Sequence, residues 1–282
     1  GSTPVYAPGG GGINVARAIH NLGGQALAMF PVGGPSGQHL TELLLAAGVQ
    51  CLPLAIQDWT RQCFNVDEQV HQQQYRFVLP GARLSADEQE NLLDQVQGLS
   101  NLDYLVFSGS QPEGLAADFL GRLLQIARDK GARCILDTSG PALKQALHEG
   151  GLFMIKPSLS ELSTLLGEAI VEPEQLAAAA SGLVSAGQCQ VVMVSLGAQG
   201  ALLATRERIE RISAPNVRKV STVGAGDSLL GAMLLKLAAG ASISQAARYG
   251  VAAGSAAIMA RGSNLCTLQD TERLYAWLQK HT

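Results

Sequence analysis

The segment Ser221-Thr222-Val223-Gly224-Ala225-Gly226-Asp227-Ser228 joins an anion site to a base. Glycines at 224 and 226 allow backbone N–H groups to converge at a helix start, where the dipole favours negative charge, and they put Asp227 inside the first turn. A carboxylate is an odd neighbour for a phosphate. The two are reconciled if Asp227 takes a proton from a hydroxyl attacking phosphorus while the N–H groups hold the charge on the transferring group. The plainer alternative makes Asp227 a dipole partner only.

A second glycine-rich segment, Pro8-Gly9-Gly10-Gly11-Gly12-Ile13-Asn14-Val15-Ala16-Arg17-Ala18, runs into a helix with Ile13, Ala16 and Ile19 on its apolar face. Gly10, Gly11 and Gly12 let backbone approach a ligand, and the Asn14 amide can both donate to and accept from sugar hydroxyls. A flexible hinge is the bland reading. Neither G-x-G-x-x-G nor G-x-x-x-x-G-K-[ST] is present, which removes support for Rossmann dinucleotide binding, hence for an NAD-linked dehydrogenase, and for a P-loop.

Two further segments read as strand ends. In Val192-Met193-Val194-Ser195-Leu196-Gly197-Ala198-Gln199-Gly200 a buried strand gives way to Ser195, Gly197 and Gly200, and ligands of open α/β sheets gather outside such carboxyl ends. A simple turn competes with that reading. Lys156-Pro157-Ser158-Leu159-Ser160-Glu161 enters a helix, where Glu161 is either a Mg²⁺ ligand through water or an ordinary first-turn acid. Arg61, Arg76 and Ser110 are isolated polar positions, and a phosphorylated substrate would need one or two such arginines.

The elements that must carry these residues follow from periodicity. Apolar runs at 103–108, 132–137, 152–156 and 190–195 are buried parallel strands, and helical patterns fill 115–130, 142–149, 158–166, 174–186 and 229–239. The alternation implies βα units around a parallel sheet. Residues 61–79, with period-two alternation in Gln74-Tyr75-Arg76-Phe77-Val78, suit an exposed two-stranded ribbon whose apolar face a second copy of the chain could cover. No internal repeat or long linker divides the chain.

Composition sets the outer bounds. The chain has 282 residues, 47% apolar and 15% charged, with 32 glycines, which rules out disorder and coiled coil. A net charge of −3 gives no field for a nucleic-acid backbone or an anionic membrane, so any anionic ligand must be held locally. The five cysteines (Cys51, Cys63, Cys134, Cys189, Cys266) are odd in number and lack a C-x-x-C pair, which fits a reducing cytoplasm rather than a disulfide framework. The five histidines lack metal-ligand spacing. No apolar run is long enough to span a bilayer, and no signal peptide is evident.

Taken together, the motifs resemble the ribokinase-like (PfkB-type) carbohydrate kinases, whose two signatures are an early glycine-rich segment and a late G-A-G-D. GGGGINVARA, DWTRQ, QYRFVLPG, SGSQPEG, VVMVSLGAQGA, STVGAGDS and VAAGSAA carry the resemblance, which runs almost throughout the chain and is strongest with members that act on fructose 6-phosphate. It implies a single α/β domain over 1–282, a three-layer α/β/α sandwich with a mostly parallel central sheet and a small β lid, with lid or dimerisation segments at about 1–8 and 55–80. It also implies an ATP-dependent 6-phosphofructokinase of glycolysis, with Asp227 as general base and Gly224, Ala225 and Gly226 forming the anion hole.

On the same footing, Gly10, Gly11, Gly12, Asn14, Arg61 and Ser110 would hold the sugar phosphate. Lys156, Ser158, Ser195, Gly197, Gly200, Thr222 and Ser255 would meet ATP. Glu161 would serve Mg²⁺, and backbone oxygens around Ser221, Val223, Ala257, Ala260, Gly262 and Asn264 would hold K⁺. The resemblance implies a homodimer, pairing further into a tetramer with ATP. Two departures stand out. Ser158 replaces the usual Asn of the family's N-x-x-E motif, which predicts weaker nucleotide or metal binding. The sequence also opens downstream of the strand and lid residues with which family members begin, so a protein starting at Gly1 is expected to be unstable and nearly inactive. Tagatose-6-phosphate and fructose-1-phosphate kinases share the scaffold, but tend to read G-G-K-G where this chain has Gly9-Gly10-Gly11-Gly12. A non-catalytic sugar-phosphate sensor is the rival of a different class.

Overall fold

The structure, a computed structural model, describes residues 3–68, 73–260 and 262–281. Its framework is a six-stranded sheet in which β5 (Tyr104–Ser108), β6 (Arg133–Asp137), β7 (Leu152–Ile155) and β8 (Cys189–Ser195) run parallel. Two short antiparallel strands, β9 (Ala201–Ala204) and β10 (Ile209–Ile212), complete one side, giving the order β10-β9-β8-β7-β6-β5. The four parallel strands match the apolar runs of the sequence to within about two residues.

Helices cover both faces because the central strands β6, β7 and β8 are apolar on both. On one side lie α3 (Ala86–Gly98), α4 (Phe119–Asp129), α5 (Pro141–Glu149), α6 (Leu159–Leu166) and α7 (Pro173–Ser185), packed on Cys134, Leu136, Val192 and Val194. On the other lie α1 (Gly11–Asn21), α8 (Ala225–Ala238), α9 (Ile243–Met259) and α10 (Leu268–His281), packed on Ile135, Val191 and Met193. Alternate residues of β8 thus feed opposite cores. In α4 the buried set Phe119, Leu120, Leu123, Leu124 and Ala127 forms a single stripe at helical spacing, each large side chain contributing about 1.5–3 kcal/mol on burial. This is the expected three-layer α/β/α arrangement with a mostly parallel sheet.

A separate two-stranded parallel sheet pairs β1 (Ala28–Val32) with β2 (Cys51–Ala55) across α2 (Gly34–Ala46). Its core is Ile13, Ala16, Ala28, Phe30, Leu44 and Val49, so α1 packs on both sheets. The ribbon expected at 61–79 is present as antiparallel β3 (Cys63–Glu68) and β4 (Gln73–Val78). Phe64 sits opposite Phe77 and Val66 opposite Tyr75, which puts all four on one face, each about half exposed. Residues 3–10 form no strand, contrary to the β segment expected at about 1–8. Pro4 and Pro8 lack ladder donors and glycines follow at once. Gly1 and Ser2 of that segment lie outside the described residues. Among the described residues no helix is long and apolar enough to cross a membrane.

Candidate active site

Parallel strands deliver their carboxyl ends to one rim of the sheet, and polar residues cap the apolar runs there. Ser108 ends β5, Asp137 ends β6, Lys156 follows β7 and Ser195 ends β8. Asp137 ties three of these together. Its Oδ1 lies 2.9 Å from the Lys156 Nζ, with both side chains largely buried, and its Oδ2 accepts from the Ser108 hydroxyl at 3.2 Å. Two buried opposite charges at hydrogen-bond distance hold each other in place, because removing either would strand the other.

The two glycine-rich segments meet over this rim. Asn14 donates from Nδ2 to Asp227 Oδ2 at 2.8 Å, closing a contact between residues 213 apart in sequence. Gly11 lies so close to the end of β5 that a Cβ there would come within 2.5 Å of the Ser108 hydroxyl and 2.8 Å of the Gly109 nitrogen. Continuing outward, Arg61 donates from Nη2 to the Ser110 hydroxyl at 2.8 Å. Gly11, Asn14, Asp227, Ser110 and Arg61 therefore lie along one continuous path from the sheet rim to the base of the ribbon. The Arg76 side chain lies outside the described residues.

Helix ends supply the electrostatics. Both α1 and α8 begin at glycines, Gly10 and Gly224, with no side-chain cap on their first-turn N–H groups. The starts of α3, α6 and α9, by contrast, are closed by capping boxes. The helix starts of α1 and α8 carry Asn14 and Asp227, so their uncapped donors lie in the same two first turns that the Asn14–Asp227 bond joins, and an anion there would complete them. Gly224 has φ +73° and packs on Leu265, so a side chain is refused there on two counts. Gly226 has a different reason: its backbone is not left-handed, but a Cβ would stand 3.2 Å from the Lys156 Nζ. Glycine at 226 lets the ammonium lie against the first turn of α8, beside the N–H groups and Asp227.

The remaining expected residues fall in three groups. Ser158 and Ser195 are bridged across the rim by the Ser195 N–H to Pro157 carbonyl bond of 2.9 Å. Ser158 caps α6 by accepting from the Glu161 N–H at 3.2 Å, while the Glu161 carboxylate accepts the Ser158 N–H at 2.7 Å. Gly197 opens a single 3₁₀ turn after β8. Gly200 is required by packing, since a Cβ would fall 1.9 Å from the Ile212 carbonyl at φ +93°. Around Ser221, the hydroxyl donates to the Gly262 carbonyl at 2.9 Å and accepts from the Val223 N–H, while the Ser221 N–H reaches the Ile258 carbonyl. Ala257 and Ala260 share the turn that ends α9, the Ala260 N–H donating to the Ala257 carbonyl, and Asn264 follows as an exposed residue. Thr222 precedes α8, its carbonyl 3.5 Å from the Ala225 nitrogen. Ser255 stands apart, buried in α9 with its hydroxyl on the Val251 carbonyl. A cleft of about 620 Å³ borders the Ser221 loop, lined by Asn216, Val217, Arg218, Val220, Met259 and Arg273.

Sequence reasoning missed Asp137 and Ser108. Each is the polar terminal residue of an apolar run, which was the available signal. The buried cysteines are not chemical groups of this site. Burial pushes the Cys134 and Cys189 thiols up to about 12 and raises Cys266, and no cluster of three His, Cys, Asp or Glu converges among the described residues.

The arrangement can bind an anion over two helix starts, hold it with Lys156, and present Asp227 to a hydroxyl. Related chains occur among known proteins. The chain is 46% identical over 279 residues to the ATP-dependent 6-phosphofructokinase isozyme 2 of Escherichia coli, covering 99% of this chain and 90% of that protein. It superposes with a TM-score of 0.95 on the E. coli phosphofructokinase-2 structure in complex with potassium, at 46% identity and the same coverage. For the complex with fructose-6-phosphate the score is 0.93, at 45% identity and again 99% and 90% coverage. The family model described as pfkB family carbohydrate kinase matches residues 1–270, and the chain belongs to that family.

Proposed function

We propose that this chain is an ATP-dependent 6-phosphofructokinase that converts fructose 6-phosphate to fructose 1,6-bisphosphate. The observation that carries the reading is the Asn14–Asp227 hydrogen bond, which brings the early glycine segment to a carboxylate in the first turn of α8. The E. coli relative's name and its complex with fructose-6-phosphate support the substrate.

In this reading the sugar's 6-phosphate lies toward Arg61 and Ser110, and its hydroxyls face Gly10, Gly11, Gly12 and Asn14. The 1-hydroxyl then stands next to Asp227. As its oxygen attacks the γ-phosphorus, Asp227 takes the proton, the new P–O bond forms, and the bond to ADP breaks with its electron pair leaving on ADP. The N–H groups of Gly224, Ala225 and Gly226, with Lys156, hold the charge that spreads over the transferring group.

ATP extends over Ser158, Ser195, Gly197 and Gly200 toward Thr222, whereas Ser255, buried with its hydroxyl bonded inside α9, is withdrawn from it. Glu161, with one carboxylate oxygen engaged by its own helix cap, would hold Mg²⁺ through water with the other, and the ion would there neutralise phosphate charge. Backbone oxygens around Ser221, Val223, Ala257, Ala260, Gly262 and Asn264 would hold K⁺, and the hydrogen bond from the Ser221 hydroxyl to the Gly262 carbonyl ties the two loops that carry them. The homologue's potassium complex supports that occupant. A second copy of the chain would cover Phe64, Val66, Tyr75 and Phe77 on the ribbon, giving a homodimer, and an odd set of unpaired cysteines suits the cytoplasm.

A panel of fructose 6-phosphate, tagatose 6-phosphate and fructose 1-phosphate, assayed with MgATP and K⁺, tests the substrate. The expected result is a kcat/KM for fructose 6-phosphate at least about tenfold above the others, a difference of about 1.4 kcal/mol in transition-state binding. Equal values on all three would refute the substrate assignment, and binding without turnover would turn the protein into a sensor.

A further inference from the structure

Asn14 is held from both sides. One helical step along α1, three residues on, Arg17 lies on the same face and donates from Nη1 to the Asn14 Oδ1 at 3.1 Å and to the Pro8 carbonyl at 2.8 Å. On its other side the Asn14 Nδ2 donates to Asp227 at 2.8 Å. Arg17 is half-buried, and desolvation lowers its pKa from the ordinary arginine value, yet both groups it donates to here are neutral. Packing alone does not call for a guanidinium at this place.

The chemistry of the three groups fixes the direction of the amide. A guanidinium can only donate and an ionised carboxylate can only accept, whereas the amide between them has one end of each kind. Only one orientation satisfies both neighbours: oxygen toward Arg17, nitrogen toward Asp227. Without Arg17 the carboxylate would still favour the nitrogen, but the Asn14 side chain would lose the bond that fixes it on its own helix and so hold Asp227 less firmly. The same guanidinium pins the Pro8 carbonyl, and with it the chain that leads into the glycine segment.

We infer that Arg17 is a positioning residue for phosphoryl transfer, acting through Asn14 to hold the Asp227 carboxylate in the orientation that accepts the hydroxyl proton. This rests on the reading of Asp227 as the base. Arg17 itself touches neither reacting group in this account.

The test is a double-mutant cycle on the full chain, with kcat and KM for ATP and fructose 6-phosphate measured alongside Tm. Arg17→Met keeps the length of the side chain and removes its donors. It is expected to lower kcat by about 10- to 100-fold, the range of one charged hydrogen bond, while KM for ATP moves less than about threefold. Arg17→Lys, which keeps a charged donor, should recover most of the loss. In an Asn14→Ala background the Arg17→Met change should cost less than about threefold more, since the path is already cut. Arg17→Leu, which likewise has no donor, reads the same quantity should the methionine variant fail to fold. A lowered Tm with kcat unchanged, or losses that multiply across the cycle, would overturn the inference. Full activity in Asp227→Ala would instead bring down the base assignment, and the two failures are thereby separate.

Discussion

Asp227 and Lys156 reach the same point from different strands and helices, and each is set by a neighbour that does not react. Asn14 holds the carboxylate, and Asp137 holds the ammonium 2.9 Å away. Ser158 shows how a site residue can also be a structural one. Its hydroxyl caps α6 and so is turned toward the Glu161 N–H rather than outward. Asparagine caps a helix as well as serine does and reaches further. Ser158→Asn is therefore expected to leave Tm within about 2 °C, a cap difference of a few tenths of a kcal/mol, and to lower KM for ATP several-fold. A falling Tm with unchanged KM would show that the cap is its whole role. At this scale the sequence disclosed the residues that are chemically unusual in their segments, a carboxylate among glycines or an asparagine after four of them. It did not disclose Asp137 or Ser108, because a polar residue closing an apolar run is ordinary until the sheet puts it beside a lysine from the next strand.

Element by element, the site depends on how α1 and α8 lie together. Gly231 is at their crossing, where a Cβ would come within 2.8 Å of the Val15 carbonyl and 3.1 Å of the Ala18 Cβ. Gly231→Ala gains helix propensity but forces the two helices apart, and overpacking of this kind costs about 1–3 kcal/mol. Because α1 carries Asn14 and α8 carries Asp227, both Tm and kcat should fall, as read by thermal unfolding and by assay below the transition. A lower Tm with wild-type kcat would mean that the site tolerates the shift. The parallel strands were legible because buried strands read as unbroken apolar runs, and the ribbon because its alternation is regular. The short antiparallel strands β9 and β10 were not, β9 being made of alanine and leucine without a β-branched residue and β10 carrying Glu210 and Arg211 in its middle. Nor was α9, whose small residues are buried all round by α8 and α10, so that no amphipathic period remains to be read.

For the molecule as a whole, one sheet with helices on both faces explains why segments from opposite ends of the chain share a site. Helices α1, α8, α9 and α10 are packed into one core with β6, β7 and β8, so the contact between residues 14 and 227 forms only when that layer is complete. Buried cysteines belong to the same cores and contribute apolar volume, not reactivity. The βα units around a parallel sheet followed from alternating strand and helix patterns, and the three-layer class from the family resemblance. The independence of the β1–β2 pair from the main sheet did not, because pairing between distant strands leaves no local trace in the sequence. What the fold is held to accomplish is proton removal at Asp227 during phosphoryl transfer. The most direct measurement is kcat of Asp227→Asn with MgATP and fructose 6-phosphate, together with calorimetric binding of both substrates. The account predicts near-normal binding and a kcat lowered by about 10²–10⁴-fold. Turnover close to that of the unsubstituted protein would contradict it.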